Sequence, residues 1–129
     1  MKKISMCVFI ICLMFMLASC QNNSGLIFKG EGKNWNGELV TKYNFWGEEI
    51  QSIKITYKGE NPEQLIISNF NVESTDFLGW GIGDIKLDEQ GIYYSGDVIT
   101  FDTKTPSSSK IIFTLEGEES ETITLSSSS

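Results

Sequence analysis

Gln51-Ser52-Ile53-Lys54-Ile55-Thr56-Tyr57-Lys58 decides the fold class. Ile53, Ile55 and Tyr57 alternate with Ser52, Lys54, Thr56 and Lys58, the period-2 pattern of a strand with one dry face and one wet face. Ile111, Phe113 and Leu115 repeat it, followed by Ile123 and Leu125, and Glu116-Gly117-Glu118-Glu119 reads as the hairpin turn between them. Working outward, Leu26 to Phe28, Leu39 to Phe45, Leu65 to Val72, Ile85 with Leu87, Ile92 to Tyr94 and Val98 to Phe101 are further short apolar runs. Asp88-Glu89-Gln90-Gly91 and Ser95-Gly96-Asp97 punctuate them, and the Gly residues fall mostly between runs. No stretch of about twelve residues keeps a helical stripe. Asn61-Pro62-Glu63-Gln64 can start a single helical turn, since Pro suits a first helical position. About eight or nine short strands, with turn signals every 8–12 residues, predict an all-β domain. The expected architecture is a two-sheet, immunoglobulin-like sandwich, with a small β-barrel as the alternative. The immunoglobulin Cys…Trp…Cys signature is absent, so the term describes architecture alone.

The first twenty residues read as an address. Met1-Lys2-Lys3 is a cationic start, and Ile4 to Ala18 follows without a charge. A basic n-region and an apolar h-region make a secretory signal peptide. An uncleaved membrane anchor is the competing reading, and the run falls short of the roughly 20 residues that span a bilayer. Leu17-Ala18-Ser19-Cys20 closes the run and resembles the bacterial lipobox, a leucine and two small residues before an obligatory cysteine. That resemblance implies cleavage before Cys20 and a diacylglyceryl group on its sulfur. Stable anchoring takes about two chains, and this group supplies two. The expected organisation is residues 1–19 as lipoprotein signal peptide, 20–25 as lipidated Cys and polar tether, 26–125 as the β domain and 126–129 as a serine tail.

Composition narrows the function classes. The chain has 129 residues, 10 Lys+Arg against 17 Asp+Glu, three Cys and no His. Loss of residues 1–19, with Lys2 and Lys3, leaves 110 residues and moves the net charge from −7 to −9. So acidic a chain lacks the basic footprint that nucleic acid requires. Without His there is no histidine-based triad, no His-ligated zinc and no imidazole switch. Cys7 and Cys12 leave with the signal peptide and lipidation blocks Cys20, so no disulfide is expected and the domain stands on its core alone.

Phe28-Lys29-Gly30-Glu31-Gly32-Lys33-Asn34-Trp35, Lys54-Ile55-Thr56-Tyr57-Lys58-Gly59, and Thr114-Leu115-Glu116-Gly117 with Glu121-Thr122-Ile123-Thr124-Leu125 together carry a second resemblance. The chain resembles a family of small lipoproteins of low-GC Gram-positive bacteria. Its members open with F-x-G-E-x-x-N-W after the lipidated Cys and close with a hairpin of the type E-W-x-G-x-x-E-T-I-x-L. Thr114-Leu115-Glu116 departs from that pattern, where the family often has a Glu-Trp pair. The resemblance implies a lipid-anchored, extracytoplasmic, Ig-like β-sandwich domain and brings no catalytic residue with it.

Three tryptophans are the candidate contact residues. Trp35, beside the first strand, is expected in the core. Trp46 follows Phe45 and precedes Gly47-Glu48-Glu49, and the pattern leaves it open between core and surface. Phe77-Leu78-Gly79-Trp80-Gly81-Ile82-Gly83-Asp84 reads as a Gly-punctuated apolar loop. Exposed, Phe77, Leu78 and Trp80 form a recognition tip; tucked in, they plug the space between sheets. The G-W-G-I-G run has no Lys and no helix after it, so it is no phosphate loop. The acidic residues, among them Asp84, Asp88 and Asp97, form no calcium loop and are expected to be a solvated face. No local argument selects a carboxylate pair for glycoside hydrolysis, and a Ser nucleophile lacks a base.

The expectation is therefore a non-enzymatic, membrane-anchored binding module on the extracytoplasmic face, without cofactor, metal or nucleic acid. Its partner is an envelope protein or a glycan, met through Trp80, Phe77 and Trp46, with Cys20 carrying the lipid. A carbohydrate-binding or carboxylate-dependent glycan-active protein is one alternative. An immunity or envelope-stress lipoprotein is the other.

Overall fold

The computed structural model describes residues 25–100, 103–118 and 120–127. The expected signal peptide, the lipobox-like run with Cys20, most of the expected tether, Phe101, Asp102, Glu119 and the last two serines lie outside the described residues.

Among the described residues nine strands follow in chain order: β1 Ile27–Glu31, β2 Trp35–Tyr43, β3 Glu49–Tyr57, β4 Ile66–Ser74, β5 Trp80–Lys86, β6 Ile92–Tyr94, β7 Val98–Thr100, β8 Ile111–Gly117 and β9 Glu121–Ser127. A 3-10 turn, Pro62–Gln64, sits where the Asn-Pro signal places it. The protein is all-β. Its strands form one antiparallel sheet in the order β5-β4-β8-β9-β1-β2-β3-β6, with β7 also on β3. β6 pairs with Lys54–Thr56 and β7 with Glu49–Gln51, so two short strands share one long edge.

The sheet curls into a nearly closed, barrel-like shape. Two layers of a sandwich are present, but as two halves of one sheet, and the small barrel fits the closure. β9 joins the halves. Its first part pairs with β8, Ile111 opposite Leu125, and its end pairs with β1, Phe28 opposite Ser127 and Lys29 opposite Ser126. Two serines expected in a tail are thus strand residues. Small polar side chains give no hydrophobic alternation, yet the backbone donates and accepts regardless of side chain.

Inward rows make the core. Trp35, Leu39, Ile53 and Ile55 come from the β2–β3 hairpin; Phe70, Val72, Ile111, Phe113, Leu115, Ile123 and Leu125 come from the other half, and all are buried. Phe70 and Phe113 meet edge to face, centroids 5.0 Å apart. Each such side chain contributes roughly 1.5–3 kcal/mol on burial.

The register defines two ends. At the proximal end lie Leu26, the β2–β3 turn, the β4–β5 loop and the segment from residue 103 to residue 110. Thr41 accepts from Leu26 N–H through Oγ1 at 2.8 Å and donates its own N–H to the Leu26 carbonyl at 2.9 Å. Ser109 donates to Asp76, tying that segment to the β4–β5 loop. At the distal end lie residues 32–34, 58–65 and 88–91, with Glu118 and Ser120 in the β8–β9 turn.

Candidate functional site

The inward row of β3 changes character along its length. Ile53 and Ile55 are apolar; Gln51 and Glu49, nearer the proximal end, are polar and equally buried. Thr41 on β2 and Thr105 of the closing segment are buried beside them. The Glu49 carboxylate accepts the Thr105 hydroxyl at 3.0 Å and the Thr105 N–H at 3.3 Å. These bonds replace the water that a buried carboxylate loses. Period 2 carried backward from Ile53 places Gln51 and Glu49 inward, a signal that polarity conceals.

Gln51 also marks the seam of the barrel. β5 is one edge of the sheet, and β3 with its two short partners is the other. Across the gap, Trp80 Nε1 donates to Gln51 Oε1 at 2.8 Å. Trp80 is half-buried and lies against the core. The stretch expected as a loop is a strand from Trp80 onward. Gly79 and Gly81 mark close approach rather than a turn: a Cβ on either would come 2.8 Å from a β4 carbonyl oxygen, that of Val72 or of Phe70. The apolar tip divides accordingly. Phe77 turns inward and is buried, Trp80 bridges the seam, and Leu78 stands out at 91% exposure.

Trp46 lies in the β2–β3 turn, and here the exposure is large. Phe45 is 95% and Trp46 80% exposed. Their rings meet edge to face with centroids 5.5 Å apart. The turn is built by Asn44. Its Oδ1 accepts the N–H of Trp46 at 3.0 Å and of Glu48 at 2.9 Å, and its Nδ2 donates to Glu48 Oε1 at 3.1 Å. Asn44 N–H donates to the Glu48 carbonyl and Gly47 N–H to the Asn44 carbonyl, both at 3.0 Å. Gly47 takes φ +80°, a conformation that suits glycine. Six of the turn's backbone groups are thus bonded within it, and both rings are left outside. Strand periodicity ends at Tyr43, so the apolar run that continued to Phe45 hid this residue among the strand's own.

Tyr43, Gly47 and Lys104 line an open hollow of about 350 Å³ beside the turn. Burial pushes the Tyr43 phenol above its ordinary range, and the Glu49 charge adds to that. On the outer face, Lys29, Glu31, Glu38, Lys54 and Thr56 border a polar trough of about 360 Å³. Among the described residues no three acidic groups gather closely enough to hold a metal ion.

The arrangement offers an apolar projection and a mixed-charge trough. No protein-family model, curated protein or solved structure matches the chain.

Proposed function

We propose that this protein is a lipid-anchored extracytoplasmic lipoprotein, a non-enzymatic interaction module that carries its lipid on Cys20 and makes contact through the proximal end of the barrel. The observation that carries the contact surface is the Phe45–Trp46 turn. Two large aromatic side chains stand almost wholly in water on a turn that five hydrogen bonds hold. Covering them gains roughly 1.5–3 kcal/mol per side chain, with little loop ordering to offset it. Leu78 extends the same end. The anchor rests on the cationic start, the apolar run and the lipobox-like Leu17-Ala18-Ser19-Cys20.

The test is detergent-phase partitioning of the full chain made in a bacterium that processes lipoproteins. The native chain is expected in the detergent phase and Cys20→Ser in the aqueous phase. Unchanged partitioning of Cys20→Ser overturns the anchor.

The trough favours a second reading, a glycan contact. Its lysines, carboxylates and Thr56 offer donors and acceptors together, and the 60% exposed Tyr94 lies on the same face. Silence on a glycan array removes it.

A further inference from the structure

Building on the lipid-anchored reading, we infer that the partner of the proximal end is the bilayer itself: Phe45, Trp46 and Leu78 seat in the interface of the membrane that holds the anchor.

Placement is the first argument. The chain enters the domain at Leu26, whose N–H and carbonyl are both bonded to Thr41. Thr41 lies two residues before Tyr43, where β2 ends and the aromatic turn begins. Cys20 precedes Leu26 by a stretch that spans at most about 20 Å when fully extended. A lipid on Cys20 therefore holds this end of the barrel, and not the other, near the headgroups.

Exposure is the second. Phe45, Leu78 and Trp46, at 95%, 91% and 80%, are the three most exposed large hydrophobic side chains among the described residues. All three project from the proximal end, two from the β2–β3 turn and one from the β4–β5 loop. Aromatic side chains, tryptophan above all, concentrate at headgroup depth, where a ring is dry on one side and wet on the other.

Charge is the third. The distal end carries Glu60, Glu63, Asp88, Glu89 and Glu118, opposed by Lys33 and Lys58. The proximal end has Lys104 and Lys110 against Glu48 and Asp76, so its charges balance. An anionic leaflet attracts basic groups and repels acidic ones within about a Debye length. The barrel is therefore oriented with its acidic end outward. Two acyl chains already suffice for retention, so the three side chains fix orientation rather than attachment.

The probe is phosphatidylcholine vesicles whose acyl chains carry bromine, a contact quencher of indole, compared with unbrominated vesicles. The full lipidated chain is reconstituted, its intact mass is measured, and its tryptophan emission is read. Brominated lipid is expected to abolish the emission component that Trp46→Ser also removes, and to leave the Trp35 component in place. Phe45→Ser keeps Trp46 and is expected to weaken the quenching, while both variants remain vesicle-bound. If Trp46 stays bright in brominated vesicles on a chain whose mass includes the diacylglyceryl group, the bilayer contact is overturned and the anchor stands. A chain recovered without lipid on Cys20 overturns the anchor, and with it the contact that rests on it. Near-ultraviolet circular dichroism of both variants checks that the barrel is intact.

Discussion

Trp35 and Trp46 stand at opposite ends of β2 and have opposite fates. Trp35 is wholly buried, tilted against Tyr57 with centroids 4.9 Å apart. Trp46 is 80% exposed, edge to face with Phe45. Both belong to an aromatic pair on the same hairpin, so residue type does not separate them. Phase does. Trp35 falls on the inward row with Gly37, Leu39 and Thr41, and Gly37 leaves room for the Phe113 ring beneath it. Trp46 falls past Asn44, where side-chain bonds have taken over the backbone and no inward row remains. The Trp35 indole N–H has no hydrogen-bond partner among the described residues, a cost that burial of the ring outweighs. A buried tryptophan here tolerates an unmet donor, and an exposed one tolerates an unmet hydrophobic surface.

The sharpest way to break this contrast is to truncate both. Trp35→Ala is expected to cost about 3–5 kcal/mol in denaturant unfolding, the usual range for emptying an aromatic core site. Trp46→Ser is expected to stay within about 0.5 kcal/mol of the native chain. Similar losses for the two would mean that the aromatic turn is structural.

Trp80, between these extremes, sharpens the comparison. Trp80→Phe keeps much of the ring and removes the donor, leaving the buried Gln51 amide oxygen unmet. A loss of about 1–3 kcal/mol is expected by the same measurement. Adding Gln51→Met removes the orphaned acceptor as well, so the double variant is expected to recover part of that loss. If Trp80→Phe costs nothing, ring packing alone holds the seam.

The smallest effect belongs to the exposed distal end. Hydrogen bonding and the charge of Lys58 hold the Glu31 carboxyl below its ordinary range. A carboxyl lowered on folding adds stability above its unfolded pKa and loses it as pH falls through the folded one. Glu31→Gln is therefore expected to differ from the native chain at neutral pH and to converge with it in acid. The difference is slight, because the pair is solvent-exposed. Thermal melts across that range provide the check.

The strands were legible wherever apolar residues alternate, as in β3 and β8, because period 2 maps directly onto faces. β5 was legible only at Ile85, since Gly81 and Gly83 imitate a turn, although Gly81 in fact serves close backbone approach. The polar part of the interior was hidden for a related reason: Glu49 is met by Thr105 and the Gln51 amide oxygen by Trp80, each across a long sequence distance. The aromatic turn was half legible. Gly47 signalled a turn, but nothing local says on which side of it Phe45 and Trp46 lie.

The pairing of β9 with both β8 and β1 bears on how the chain folds. Phe28 finds its partner Ser127 across nearly the whole length of the domain. Hairpins such as β2–β3 and β8–β9 can form early from local contacts, whereas closing so long a loop requires chain entropy to be lost before any bond rewards it. Until β9 docks, β1 has an open edge, and unpaired edges are where chains associate with the wrong neighbours. The strand that unites the two halves also ends the interval in which the protein is most prone to aggregate.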